Sequence, residues 1–193
     1  MEKEIVVAIA LGIGLSASTG FRVFLPLLVA GLAARLGFLP LNESFMWLQS
    51  TATLAALSIA TFIEIIAYYL PFVDNLLDSI AMPLAIGAGT LLAASVIPVD
   101  NGFLKWLMAI IIGGGASATV QGATTAIRLT SSGTTAGLGN PVISTGENAA
   151  ALVISILAIA LPVLVVAILI LLIIFIIRKN AKRKRRLKDN NKI

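Results

Sequence analysis

The chain has 193 residues, of which 59% are hydrophobic and only 12% are charged, and its mean hydropathy is +1.03. A soluble domain has about a quarter of its residues charged, so this composition excludes that class and predicts an integral membrane protein. Because the sequence has no histidine and no cysteine, it lacks the commonest general base, the commonest transition-metal ligand and any disulfide. We therefore expect no enzyme activity, no cofactor and no metal site.

The apolar pattern predicts an all-α membrane protein with about five transmembrane helices. Short turns that contain proline, asparagine, aspartate or glycine separate the apolar segments. The first and last segments are longer than the roughly 20 residues that span a bilayer, so we expect them to tilt, kink or split. In chain order the segments are about Ile5–Leu36, Trp47–Leu70, Leu76–Ile97, Phe103–Arg128 and Ala149–Ile177.

Small polar residues and prolines interrupt three of these segments. The first contains Pro26 and a Gly/Ser/Thr cluster, the fourth contains GGGASATVQG, and the fifth contains Pro162. Such stretches predict broken or closely packed helices. A polar connection, TSSGTTAGLGNPVISTGEN, follows the fourth segment, and Ser144–Glu147 within it has the spacing of a capping box. We therefore expect the fifth helix to begin at this box.

A seven-residue motif occurs twice. SASTGFR at residues 16–22 aligns without a gap to GATTAIR at residues 122–128, and both copies end in arginine, at Arg22 and Arg128. Two antiparallel copies predict an inverted repeat, in which broken helices form a transport site near the midplane. The alternative is that the small residues only allow helices to pack closely and that each arginine is an interfacial anchor.

Several polar residues are predicted to line a substrate or ion pathway in this arrangement. An arginine at membrane depth is costly, so it normally faces a partner or a wet cavity, and hydroxyl and amide groups supply the polar lining. The predicted pathway residues are Ser16, Ser18, Thr19, Arg22, Gln121, Thr124, Thr125, Arg128 and Asn140.

Three carboxylates are candidate partners for the arginines. Glu64 lies deep in the second segment, where it is expected to be protonated or paired with Arg22 or Arg128. Asp74 and Asp78 lie four residues apart at the start of the third segment. They are interpreted either as an N-cap and a first-turn partner of the helix dipole, or as a cation or proton site shared with Glu64.

The charge distribution divides the chain into a membrane domain, residues 1–177, and a basic tail, residues 178–193. Nine of the fourteen basic residues lie in the tail, and residues 1–177 carry five basic and eight acidic residues. We expect the tail to be disordered, to hold the C-terminus in the cytoplasm and to contact anionic lipid, whereas nucleic-acid binding is not favoured. The two repeat-like halves are predicted at about 5–97 and 103–177.

The orientation follows from a cytoplasmic tail in an inner membrane. Counting back through five spans places the N-terminus outside, and the helices that carry the two motifs then run in opposite directions. If the first segment is instead a hairpin, the N-terminus lies inside. The first residues include two glutamates and one lysine, unlike the positive start of a signal peptide, so we interpret this segment as a retained helix.

Three blocks of sequence resemble a known family. GLSASTGFRVFLPLL, EIIAYYLPFVDNLLDSIAMPL and GATTAIRLTSSGTTAGLGNPVIS are similar to small prokaryotic integral membrane proteins grouped as domain of unknown function 4126. The similarity extends to about Ile170 and does not include the basic tail. The resemblance implies a shared membrane fold and implies no particular activity.

These observations favour a small transporter or channel for a small, anionic solute or ion. The arginines would supply positive potential, and the carboxylates would tune them or carry a coupling ion. Because five spans are few for a complete pathway, a homodimer that packs through glycine-rich faces is a natural extension. The alternative is a structural or assembly factor of the membrane with a dry interior, and an enzyme acting on lipid is less favoured because it would depend on Asp/Glu pairs alone.

Overall fold

The computed structural model of the protein describes residues 2–135, 137–171, 174, 175 and 178. Across this described part the secondary structure is helical, without a β-strand, which confirms the predicted all-α class. The elements in chain order are α1 (Glu2–Thr19), α2 (Phe24–Arg35), a 3-10 helix (Glu43–Gln49), α3 (Thr51–Ala67), α4 (Pro71–Val96), α5 (Gly102–Met108), a π-helical segment (Ala109–Gly114), α6 (Gly115–Thr135), α7 (Asn140–Ala160) and α8 (Pro162–Leu171).

Three helical runs in the described residues are long and apolar enough to cross a membrane. They are Leu76–Val96, Gly102–Thr135 and Asn140–Ala160. A fourth span results if the 3-10 helix and α3, which are bent by 60° relative to each other, cross the membrane together. The chain therefore has the helices of a multi-pass membrane protein, with three or four candidate spans.

The first apolar segment is divided into two helices at the first copy of the motif. Helix α1 ends at Thr19 and α2 begins at Phe24, so that Arg22 lies in the irregular connection. Pro26 lies in the first turn of α2. Backbone N–H groups in the first turn have no acceptor within the helix, so a proline there removes no intrahelical hydrogen bond. The break therefore comes immediately before the proline, at the Gly20–Val23 stretch.

The fourth apolar segment stays helical through its glycines. Gly113 and Gly114 lie in the π-helical segment, which continues directly into α6. A Cβ atom on Gly113 would lie 2.4 Å from the carbonyl oxygen of Gly89 in α4, so the glycine permits a close helix crossing. The second copy of the motif consequently lies inside an unbroken helix, in contrast to the first.

The prediction that the fifth helix begins at Ser144–Glu147 is wrong. Helix α7 begins at Asn140, with Gly139 as its N-cap residue and a proline in its first turn. The polar sequence that looked like a long connection is mostly helix, because α6 continues to Thr135. Ser144 and Glu147 lie inside α7, where their side chains contact arginines instead of capping the helix.

The remaining boundaries differ from the predictions for local reasons. Helix α3 begins at Thr51 because the side chain of Ser50 accepts a hydrogen bond from the backbone N–H of Thr53, at 3.2 Å. Helix α4 begins at Pro71, earlier than predicted, because proline suits the first helical position. Pro162 splits the fifth segment into α7 and α8.

Apart from Arg178, the predicted basic tail lies outside the described residues.

Helix α1 lies at the centre and packs against α4, α6 and α7. Its contacts with α4 depend on small residues, since the hydroxyl of Ser16 donates to the carbonyl oxygen of Gly89 at 2.7 Å. A Cβ atom on Gly89 would lie 2.6 Å from Oγ of Ser117 in α6, so α1, α4 and α6 meet at this glycine. Close packing of this kind replaces the hydrophobic effect as the force that holds membrane helices together.

Candidate functional site

Arg22 is buried in the connection between α1 and α2 and makes contacts with α7. Its Nη1 donates to Oε2 of Glu147 at 2.7 Å and to the carbonyl oxygen of Phe21 at 2.8 Å. Its Nε donates to Oδ1 of Asn148 at 2.6 Å, and its Nη2 donates to the carbonyl oxygen of Ser144 at 3.2 Å. The side chain is therefore held by one carboxylate and by neutral acceptors.

Arg128, on α6, is equally buried and reaches the same glutamate. Its Nε donates to Oε1 of Glu147 at 3.0 Å, and its Nη2 forms an ion pair with Oε2 of Glu147. Its Nη1 forms an ion pair with Asp74, and its Nη2 also donates to the hydroxyl of Ser144 at 3.0 Å. Both arginines of the duplicated motif therefore bind Glu147.

One aromatic ring connects the two guanidinium groups. The ring of Tyr68, which follows α3, has its centroid 4.0 Å from Cζ of Arg22 and 4.5 Å from Cζ of Arg128. Both distances are within the range of cation–π attraction. We call the whole assembly the arginine cluster, defined as Arg22, Tyr68, Asp74, Asp78, Arg128, Asn140, Ser144 and Glu147.

Asp74 and Asp78 join the arginine cluster from the first two turns of α4. Asp74 is fully buried and accepts a hydrogen bond at 2.8 Å from Nδ2 of Asn140, in addition to its ion pair with Arg128. Oδ1 of Asp78 lies 3.9 Å from Nη1 of Arg128, at the edge of ion-pair distance. The helix therefore does not begin at Asp74 as an N-cap, because its N-cap residue is Leu70.

Glu64 contacts backbone N–H groups instead of an arginine, so the expected pairing with Arg22 or Arg128 is wrong, and the alternative that Glu64 is protonated stays a prediction. Its Oε1 accepts the backbone N–H of Val23 at 2.7 Å, and its Oε2 accepts the backbone N–H of Phe24 at 3.0 Å. The carboxylate therefore caps α2 from a different helix, where the N-cap residue itself makes no side-chain hydrogen bond. Satisfying these two N–H groups and the positive end of the α2 dipole stabilises the break next to Arg22.

A cavity of about 260 Å³ lies beside the arginine cluster, between the start of α2, α3 and α4. Its walls are mainly apolar, and Glu64 and Tyr68 are its polar or amphipathic members. Because the Tyr68 ring lies over both guanidinium groups, the cavity adjoins the cluster through this residue.

The comparison with known families confirms the family inferred from the sequence, and the match extends past Ile170 into the first residues of the basic tail. The sequence model of the family described as Domain of unknown function (DUF4126) matches residues 9–182. The chain belongs to the DUF4126 family. No match was found among curated proteins or among solved structures.

The structure separates the predicted pathway residues of this DUF4126 protein into two groups. Arg22, Arg128 and Asn140 join the arginine cluster, together with the predicted charge partners Asp74 and Asp78. The other pathway residues lie along the contacts of α1 with its neighbours or on α6, and their hydrogen bonds run mainly to backbone carbonyls or to one another. This second group is Ser16, Ser18, Thr19, Gln121, Thr124 and Thr125.

Glu147, Ser144 and Tyr68 are the principal cluster residues that the sequence analysis missed as site residues. The spacing of α7 carries a signal for two of them, because Asn140, Ser144 and Glu147 follow the helical pattern i, i+4, i+7 on one buried face. Because Ser144–Glu147 was interpreted as a capping box, this buried stripe of polar residues was not predicted. Among the residues that the structure describes, no group of three or more acidic, histidine or cysteine side chains is arranged to hold a metal ion.

Proposed function

We propose that this DUF4126 protein is a small membrane transporter or channel for a small ion or polar solute, with the arginine cluster in its pathway. The observation that carries the proposal is the convergence of Arg22 and Arg128 on the single carboxylate of Glu147. Burying several charges inside a helical membrane protein is costly, and such residues generally mark ion or substrate pathways. The break between α1 and α2 beside Arg22 is a second feature typical of transporters.

The charges of the cluster bear on the class of ion. Each arginine is matched by a carboxylate, and Glu147, Asp74 and Asp78 together outnumber the two guanidinium groups by one. An anionic solute would have to displace Glu147 from an arginine before it could bind. We therefore favour a cation as the ion whose movement is coupled to transport. That the transported solute is an anion stays a prediction from the sequence.

The finer architecture belongs to this proposal as well. We infer that α1 and α2 form one broken span, which raises the number of spans to five. Arg22 and Arg128 then belong to two halves of an inverted repeat, at about 5–97 and 103–177, that meet at Glu147. In this topology the C-terminal tail is cytoplasmic at an inner membrane and contacts anionic lipid, and a homodimer supplies a complete pathway.

A structural or assembly role is the second candidate, and the packing of the first motif favours it. Ser16, Ser18 and Thr19 are all fully buried, and their hydroxyls donate to backbone carbonyls. The hydroxyl of Ser155 in α7 donates to Oγ of Ser18 at 2.9 Å. In this account the arginines fix the register of the helices and the interior stays dry.

A flux assay separates the two candidates. The purified protein would be reconstituted into liposomes that contain a pH-sensitive dye, and a potassium gradient with valinomycin would set the membrane potential. Sodium, chloride, nitrate and phosphate would be supplied in turn as probes. The transporter predicts protein-dependent flux of at least one probe ion or of protons, which Asn148→Ala reduces and the exposed control Glu43→Gln does not. An absence of protein-dependent flux for all of these ions would favour the structural role.

Water access gives an independent answer, because the chain has no native cysteine. Single cysteines at the half-buried positions Thr125 and Asn148 would be treated with a charged, membrane-impermeant thiol reagent. A cysteine at the fully buried Ser18 serves as the dry reference. The transporter predicts labelling at Asn148 without denaturant, whereas the structural role predicts labelling at all three positions only after denaturation.

A further inference from the structure

The arginine cluster holds an excess of one negative charge among its ion-paired side chains. Arg22 and Arg128 supply two positive charges, whereas Asp74, Asp78 and Glu147 supply three carboxylates. Glu64 lies outside this count of ion-paired side chains, because its carboxyl group accepts the N–H groups at the start of α2. An unbalanced charge at this depth is costly, so one of the three carboxylates requires a neutralising partner.

Two buried oxygen atoms in the cluster have no hydrogen-bond partner, and they identify where the imbalance lies. They are Oδ1 of Asp78 and Oδ1 of Asn140. Asn140 is buried, with a relative exposure of 3%. Its Nδ2 donates hydrogen bonds to Asp74 and, at 3.2 Å, to the hydroxyl of Ser132. The residues that carry these oxygens contact the two members of one ion pair, because Asn140 binds Asp74 and Asp78 approaches Arg128.

We propose that Asp78 is a proton-binding site, and that the protonated carboxylic acid neutralises the excess charge of the cluster. Its carboxylate takes up one proton, an O–H bond forms, and the same bond breaks when the proton leaves. Protonation leaves two positive and two negative groups and converts an acceptor-only side chain into a hydrogen-bond donor. This inference rests on the proposed function and identifies the coupled cation as a proton.

The exposure of the three carboxylates favours Asp78 as the one that exchanges a proton with the surroundings of the cluster. The side chain of Asp78 is 18% exposed, whereas that of Asp74 is 0% exposed and that of Glu147 is 6% exposed. Asp74 and Glu147 also form ion pairs with Arg128, whereas Asp78 lies only at the edge of ion-pair distance. Asp78 is thus the reachable carboxylate with the weakest hold on an arginine.

The surroundings of Asp78 favour a proton over a metal cation. The charged and titratable groups that face it are Asp74 on its own helix, Arg128 from α6, Glu147 from α7, Arg22 from the α1–α2 connection and Tyr68 after α3. The guanidinium of Arg128 lies 3.9 Å away and would repel a second cation at this place. A proton adds its charge on the carboxylate itself, without needing a cage of oxygen ligands.

Loss of the proton would give Arg128 two competing carboxylates. In the structure Nη1 of Arg128 forms an ion pair with Asp74, and we assign this arrangement to the state in which Asp78 is protonated. With Asp78 ionised, the same nitrogen is attracted toward Asp78, one helical turn away on α4. Arg128 and Arg22 both donate hydrogen bonds to Glu147. A shift of the Arg128 side chain would therefore alter the contacts of both copies of the motif.

Infrared difference spectroscopy of the full-length protein in liposomes tests the protonation without relying on transport. The difference spectrum between mildly acidic and alkaline buffer, a range in which exposed carboxylates stay ionised, should contain the C=O band of the protonated Asp78 side chain. Asp78→Asn should remove this band, and the matched control Asp100→Asn, on an exposed loop, should retain it. A band that is absent in the native protein, or that persists unchanged in Asp78→Asn, would overturn the proposal.

The pH dependence of stability provides the second measurement. If the folded protein binds a proton at Asp78, its free energy of unfolding falls as the pH rises and that proton is lost. Asp78→Asn mimics the protonated form, so its stability should lack this part of the pH dependence. If sodium but not choline stabilises the native protein at alkaline pH, and Asp78→Asn abolishes this effect, Asp78 would bind sodium. That result would contradict the proposal that Asp78 binds a proton. A pH-dependent band at Asp78 without any flux would support protonation and reject the transporter.

Discussion

The two copies of the motif differ in structure although their sequences align over seven residues. The first copy ends α1 and places Arg22 in an irregular connection, whereas the second copy lies inside α6 and places Arg128 on a regular helix. Glu64 contributes to the difference together with Pro26, since its carboxyl group accepts the backbone N–H groups of Val23 and Phe24 at the break. A helix break in this molecule therefore depends on a distant side chain as much as on the local sequence.

A single aligned position shows how packing adds to this difference. Gly20 in the first copy aligns with Ala126 in the second. A Cβ atom on Gly20 would lie 2.6 Å from the carbonyl oxygen of Ser117, whereas Ala126 is exposed. The first copy thus crosses α6 at close range, and the second copy presents the corresponding position to the surroundings of the protein.

The largest effect should come from the residue that the two copies share. Glu147→Gln leaves both arginines without their common carboxylate, and breaking a buried ion pair costs about 3–5 kcal/mol. We expect the free energy of unfolding in mixed micelles to fall by that amount. The control Glu43→Gln changes an exposed glutamate and should leave stability unchanged. A change of similar size in both variants would contradict the role of Glu147.

The second effect should distinguish the copies by their packing. Gly20→Ala introduces a methyl group against Ser117 and Val120, and overpacking of this kind costs about 1–3 kcal/mol. Gly133→Ala, at an open position on α6, should be neutral or stabilising by up to about 1 kcal/mol, because alanine favours the helix. Equal unfolding free energies for the two variants would show that α1 and α6 do not approach closely at Gly20.

A third, smaller effect should appear only in the first copy. Glu64→Gln removes the charged acceptor for the N–H groups of Val23 and Phe24, at a cost of about 1–2 kcal/mol, as for other N-cap losses. Hydrogen exchange at these two amides should accelerate. The amides of residues 124–128, in the second copy, should keep their protection, and faster exchange in both copies would contradict a local capping role.

The smallest effect concerns the hydrogen bond between Ser155 and Ser18. Ser155→Ala removes a donor from α7, and interhelical hydrogen bonds of this kind average about 0.6 kcal/mol in membrane proteins. The control Ser79→Ala removes a hydrogen bond within α4, at an exposed position, and should change the unfolding free energy by less. A larger loss for Ser79→Ala would indicate that the α1–α7 contact differs from the one described.

The sequence predicted the fold class, a break or kink in the first segment and charged partners for the two arginines. These features follow from local signals: long apolar runs, small polar interruptions and charges in apolar sequence. The convergence on Glu147 could not be predicted in this way, because it depends on which helices are neighbours. The start of α7 was misplaced because Ser144–Glu147 satisfies a capping pattern locally, and only tertiary contacts show that both side chains bind arginines instead.

Two double-mutant cycles test most directly whether Glu147 joins the two copies. The unfolding free energies of Glu147→Gln, Arg22→Gln, Arg128→Gln and the two double variants with Glu147→Gln would be measured in mixed micelles. Residues in one ion-pair network show coupling energies of about 0.5–3 kcal/mol, whereas independent sites add within about 0.5 kcal/mol. We predict coupling of Glu147 to both arginines. Coupling to only one of them, with additivity for the other, would contradict the shared carboxylate.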